Sequence, residues 1–266
     1  MKTAIIFTGF IRGFSLYGKR LYQNLFKAFP NADLYFCSWD TIDLRNETKI
    51  NPNLFYELEN CKGVKLLEWN AFKDKIPQTV KQNRENDIFN VNRFAITEGI
   101  NASNRIRNQW FLVNQARELI PKNQYDIIVR TRFDLNYTKF QLDNSQNGIT
   151  IPYNFFSNHY AKDMDISSGF CDHVAYGDSE SMFKYLNMYE HMDNMYVKKN
   201  ANIAHAEGLL KYYLTEYSNI DVHMNNKILY QIVKNENDID NTPMREYELN
   251  ENNITSGQFI GPKFSN

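Results

Sequence analysis

The run Ala4-Ile5-Ile6-Phe7 limits what this chain can become more than any other short segment. Apolar β-branched and aromatic residues follow one another with no polar alternate, which suits a strand covered on both faces. Such a strand needs helices above and below it, and the next residues supply one. After the turn Thr8-Gly9-Phe10-Ile11-Arg12-Gly13, apolar side chains recur at helical spacing between Tyr17 and Phe29, and Pro30-Asn31 stops that helix. Leu34-Tyr35-Phe36-Cys37 is a second strand, so the chain opens β-α-β.

The alternation continues. Val64 to Leu67 reads as a strand, the polar stretch Thr79 to Asn92 as a loop, and Ala102 to Ile120 as a helix closed by Pro121. Tyr125 to Val129 is the clearest buried strand, and it delivers Arg130-Thr131-Arg132-Phe133-Asp134 at its end. Further strands are expected at Ile149 to Ile151 and His173 to Tyr176. Asp178 caps a helix carrying Met182, Phe183, Leu186 and Tyr189, and another helix starts near Ala206. With 266 residues, 42% of them hydrophobic, the chain can bury a sizeable core. The expected class is α/β: a single Rossmann-like domain over residues 1–234, with a mostly parallel central sheet flanked by helices. Residues 235–266 read as a polar tail or arm.

In a sheet of this kind ligands sit beyond the carboxyl ends of the strands. That rule selects Gly9 to Gly13 and Arg130 to Asp134. Side chains alternate along a strand, so Arg130, Arg132 and Asp134 share one face while Thr131 and Phe133 take the other. Two guanidiniums and a carboxylate there are either an internal salt-bridge cluster or a diphosphate site in which Asp134 helps hold Mg²⁺ or Mn²⁺. In the early turn, Gly9 lets backbone approach a ligand and Arg12 offers a fork to phosphate; the plainer alternative is an ordinary turn with a solvated arginine. Asp172 is a candidate general base for a sugar hydroxyl, or else a turn-capping residue, with His173 a second candidate base. His205, at a helix start, is a candidate metal or phosphate ligand, or a buried side chain. Trp110, Tyr153, Phe155, Phe156 and Tyr160 are stacking candidates, although such aromatics more often belong to the core.

Several classes are excluded or disfavoured. Lys+Arg 30 against Asp+Glu 31 leaves no global positive field, so nucleic acid is not an expected partner. The three cysteines, Cys37, Cys61 and Cys171, have neither the number nor the spacing of a disulfide framework or zinc ribbon. Neither a dinucleotide fingerprint, a P-loop, a G-x-S-x-G elbow nor an H-E-x-x-H motif occurs. No signal-peptide pattern opens the chain and no apolar run approaches the roughly 20 residues of a bilayer span. The expected location is therefore cytoplasmic, with any membrane contact peripheral, at the inner face of the cytoplasmic membrane. The 35 asparagines are put down to A/T-rich codons.

Taken in order, five segments resemble bacterial cell-surface polysaccharide glycosyltransferases of the GT-A type, including WavE-like lipopolysaccharide-synthesis proteins and capsule-locus transferases. They are Gly9-x-x-Arg12-Gly13, the strand entry Asn31 to Phe36 with Trp39, Tyr125 to Asp134, Asp172 to Gly177, and His205-Ala206-Glu207-x-Leu209-Leu210. The resemblance implies a GT-A domain that takes a nucleotide-sugar donor and a glycan acceptor, lipid-linked acceptors included. It implies that Asp134 fills the role of the D-x-D acid on a divalent cation, although Arg132 stands where the first acid of that motif belongs. Arg12 would lie near the diphosphate and Asp172 near the acceptor. Two other functions fit the same residues: a transferase moving a phosphoryl-type group onto the same glycans, and a non-catalytic glycan-binding module.

Overall fold

A computed structural model describes residues 1–43, 46–72, 106–143, 147–152, 169–199 and 206–233. The strands are β1 (Thr3–Gly9), β2 (Asp33–Trp39), β3 (Thr41–Asp43), β4 (Asn46–Lys49), β5 (Cys61–Leu67), β6 (Ile127–Arg132), β7 (Leu135–Phe140), β8 (Ile149–Pro152), β9 (Val174–Asp178), β10 (Val222–Asn225) and β11 (Ile228–Ile232). Seven of them form one sheet in the order β10-β8-β9-β6-β1-β2-β5. β9 runs against its neighbours β6 and β8, and the other pairings are parallel. The class is thus α/β with a mostly parallel sheet, as the alternation of apolar runs and helical periods implies.

β1 shows why a continuous apolar run was needed. Ala4 and Ile6 enter the core on one face of the sheet, and Ile5 and Phe7 enter the core on the other. The first face is covered by the helix over residues 106–117 and by the helices Ser179–Leu186 and Ala206–Tyr212, through Trp110, Val113, Tyr185 and Leu210 among others. The second is covered by the helices Arg12–Tyr17 and Gln23–Ala28 and by β7. Its centre is aromatic: Phe7 stacks on Phe36 at 5.0 Å between centroids, Phe36 on Phe55 at 4.8 Å, and Phe133 lies 5.7 Å from Phe7. Burying side chains of this size supplies much of the apolar gain that holds the two layers to the sheet.

The structure departs from the sequence expectation in several places. The helix expected from Tyr17 to Phe29 starts earlier and is broken: Arg12–Tyr17 is helical, Gly18 ends that piece at φ 53, Gly18–Tyr22 is a tighter 3₁₀ turn, and Gln23–Ala28 resumes. A periodic apolar stripe spans the break because all three pieces lie on the same core. The strand expected at Tyr125 to Val129 runs from Ile127 to Arg132, so both arginines belong to the strand itself. Finally, β7 pairs antiparallel with β11, and β3 with β4, in two small sheets that the sequence did not suggest. The loop expected at Thr79 to Asn92 and the arm expected at 235–266 lie outside the described residues.

Candidate functional site

Strand order turns back at the boundary of β1 and β6: β2 and β5 lie on one side, and β6 with the later strands on the other. At such a switch point the loops leaving neighbouring strands part in opposite directions and open a crevice. A cavity of about 190 Å³ is found there, at the carboxyl ends of β1, β2, β5 and β6. Its lining includes an aromatic group, Phe10 after β1, Trp39 ending β2 and Trp69 after β5. Trp69 packs edge-on against Trp39 at 5.0 Å and against Phe10 at 5.7 Å. The 106–117 helix contributes Asn108, Gln109 and Leu112. Arg12, Arg130, Arg132 and Asp134 complete the wall, and the Arg12 guanidinium lies over the Phe10 ring, 5.9 Å from its centre.

The arginines arrive by strand alternation. Val129 and Phe133 point into the aromatic core, which leaves Arg130 and Arg132 on the opposite face. Arg132 grips Asp134 across the turn with two parallel bonds, Nε to Oδ1 at 2.8 Å and Nη2 to Oδ2 at 2.6 Å. Arg12 adds a third, Nη1 to Oδ2 at 3.1 Å, and its Nε stands 3.0 Å from Asp43 Oδ2. Arg12 holds a φ of 21, a backbone angle that costs on the order of 1–3 kcal/mol in a non-glycine residue. Its two carboxylate partners offset that strain. Gly9 has a φ of 117, and a Cβ there would meet only open space, so glycine serves the backbone angle and leaves the crevice floor bare.

Arg130 differs from its neighbours. It is 1% exposed, its Nε donates to Thr8 Oγ1 at 2.9 Å, and its Nη1 donates to the carbonyl oxygen of Asp172. Among the described residues no carboxylate forms an ion pair with it. Its hydrogen bonds go to a hydroxyl and a carbonyl instead.

Burial alone would push the Asp134 carboxyl up, but Arg132 beside it, its hydrogen bonds, and then Arg12 hold it below the usual carboxylate range. Arg132 is correspondingly raised: burial works against its charge and Asp134 outweighs it. Asp172 lies one layer behind the cavity wall. Its Oδ2 accepts from Gln109 Nε2 at 2.7 Å, and His173 Nε2 stands 3.4 Å from its Oδ1. Burial would raise this carboxyl too, and His173, Arg132, the Gln109 amide and Arg130 together lower it. His173 is lowered by burial and is neutral at pH 7. Its Nδ1 is 2.9 Å from the Tyr230 hydroxyl on β11, which also lies 3.0 Å from Cys171 Sγ.

Of the residues singled out from sequence, Gly9, Arg12, Arg130, Arg132 and Asp134 meet in one cavity wall. Arg12 is not the solvated turn arginine that one alternative required. Arg132 and Asp134 form the salt bridge that one alternative expected, and among the described residues Arg130 makes no ion pair. Trp110 is core: it is fully buried and packs edge-on to Tyr185 at 5.3 Å. His205, Tyr153, Phe155, Phe156 and Tyr160 lie outside the described residues. Trp69, Phe10, Asn108 and Gln109 were missed. The strand-end rule reaches the first two, since each stands just past a strand; the amides sit on an amphipathic helix that carries no mark of function.

A divalent cation of the Mg²⁺ or Mn²⁺ kind needs several oxygen ligands around one point. Asp134 is the one carboxylate in the described wall of the cavity, both its oxygens accept from guanidiniums, and a third arginine lines the same wall. Among the described residues no group of three or more His, Cys, Asp or Glu side chains converges on a point. These residues do not fit the cation that the D-x-D analogy implies, because a metal at Asp134 would have to displace the bidentate arginine.

No family model matches this chain, and no curated protein matches its sequence. Among solved structures, an active-site mutant of LgtC matches at 11% identity with a TM-score of 0.44, covering 84% of this chain and 72% of the other. Mouse xyloside xylosyltransferase 1 in its apo form matches at 13% identity with a TM-score of 0.37, covering 84% of each chain.

Proposed function

We propose that this chain is a GT-A glycosyltransferase that moves a sugar from a nucleoside diphosphate donor to a hydroxyl of a bacterial surface polysaccharide, capsule or lipopolysaccharide, at the inner face of the cytoplasmic membrane. The observation that carries the reading is Arg130: a buried cation that makes no ion pair among the described residues, in the wall of a cavity that Phe10, Trp39 and Trp69 also line. A nucleoside diphosphate has both complements, a flat base for Phe10, Trp39 and Trp69 and a polyanion for the guanidiniums. The sequence resemblance, the parallel sheet and the switch-point crevice support the same reading. No helix among the described residues is long and apolar enough to cross a membrane, so contact with a lipid-linked acceptor would be made from the surface.

In the transfer, the acceptor oxygen forms a bond to the anomeric carbon while the bond from that carbon to the diphosphate breaks. The electron pair of the broken bond leaves on the diphosphate, and the acceptor proton passes to a base. Fixed guanidiniums in a water-poor wall stabilise that developing charge without reorganising at the moment of reaction. Asp172 is assigned here to the acceptor side, where it holds the Gln109 amide facing the cavity.

The test is a melting-temperature screen against UDP, GDP and CDP, followed by product mass. A shift with one nucleotide and a hexose or heptose increment support the reading. A phosphorus-containing increment would replace it with phosphoryl-type transfer, and no shift with any nucleotide would leave a glycan-binding module.

A further inference from the structure

The misfit between Asp134 and a metal ion has a constructive side. Three guanidiniums and one carboxylate line the cavity, and the carboxylate is wholly occupied in orienting two of the three. Arg132 and Arg12 converge on Asp134 from β6 and from the turn after β1, so a single acid fixes the directions of two long side chains from different segments. Arg130 needs no such partner, since Thr8 and the Asp172 carbonyl fix it from behind. Two things that would be asked of a cation, positive charge and fixed position, are already present in side chains. Planar forks match phosphate oxygens in pairs and give up hydration more readily than an ammonium does.

Resting on the donor reading above, we propose that this crevice binds a diphosphate without a divalent cation. Arg12, Arg130 and Arg132 are its counter-charge, and Asp134 is a positioning residue for Arg12 and Arg132, not a metal ligand. Chemically the site is a guanidinium clamp for pyrophosphate, whether free or as part of a nucleotide.

Inorganic pyrophosphate and the nucleotide that gives a shift are titrated against the whole chain by calorimetry and by melting temperature, once with EDTA and once with Mn²⁺. The clamp predicts equal affinity in both, weakening as salt is raised. Arg130→Met should weaken pyrophosphate about 10- to 100-fold, the range for one charge-assisted bond. Arg12→Lys, at the more exposed guanidinium, provides a second variant should Arg130→Met fail to fold, with a smaller loss expected. Asp134→Asn should keep metal-free pyrophosphate binding within a few-fold and lower kcat with little change in donor KM, because the charge remains and only its direction is lost.

Binding that appears only with Mn²⁺ and disappears in Asp134→Asn overturns the clamp and leaves the nucleoside diphosphate reading standing. Binding of neither pyrophosphate nor any nucleotide under both conditions overturns both.

Discussion

Arg12 and Asp134 stand far apart in sequence, yet each explains the other's oddity. The arginine accepts an unfavourable φ to reach two carboxylates, and the aspartate stays ionised in a buried place because two arginines surround it. Such an arrangement has a pH signature. The folded pKa of Asp134 and of Asp172 is depressed, so the stability each contributes is complete above the unfolded value, about 3.9, and is lost as pH falls through the folded value. His173 is also depressed, by burial, so its contribution is complete above about pH 6.5 and is lost as pH falls below it. Melting temperatures taken between pH 7.5 and 5 should therefore fall with acid, and His173→Gln should flatten that slope; an unchanged slope would contradict the neutral, buried imidazole. Arg130→Met gives a contrasting expectation for stability. Removing a buried charge that makes no ion pair among the described residues offsets part of what is lost at Thr8 and the Asp172 carbonyl, so its melting temperature should stay within a few degrees of the parent.

At the level of elements, β9 is held from both sides and leaves no room for error. Gly177 pairs with Ile149 of β8, and a Cβ on it would run into the Gly148 carbonyl. Gly177→Ala should cost about 1–3 kcal/mol, read as a lowered denaturation midpoint, since the obstacle is backbone and cannot swing aside. β11 contributes differently, through one hydroxyl. Tyr230→Phe leaves His173 Nδ1 and Cys171 Sγ without their shared partner and should cost about 1–3 kcal/mol. Loss of nothing measurable would mean that β11 is held by its ladder to β7 and its apolar contacts without help from this hydroxyl. These elements also show where reading a sequence stops. β1, β2 and β6 are legible because a strand buried on both faces has to be apolar throughout, and from that follow the sheet, its switch point and the places of Arg130 and Arg132. β7 and β11 are not, because Leu135 to Phe140 alternates apolar with polar residues and pairs with a segment some ninety residues further on. Nor does spacing tell whether Asp134 faces a metal or an arginine; both put it on the same face, and the choice depends on the reach of Arg12 across the fold.

For the molecule as a whole, the seam that makes the crevice is also its most distant pairing. β1 lies beside β2, which follows it closely, and beside β6, where Thr3 is matched with Ile127. A chain made from its N-terminus therefore holds β1 with one ladder open until the residues of β6 arrive, and an apolar strand with an open ladder is prone to wrong partners. Closing it joins residues across a long loop, a step that is slow compared with forming the helices. The ligand crevice lies on that same seam and cannot exist before it closes. In refolding from denaturant, the ability to bind nucleotide should accordingly trail the return of helical signal.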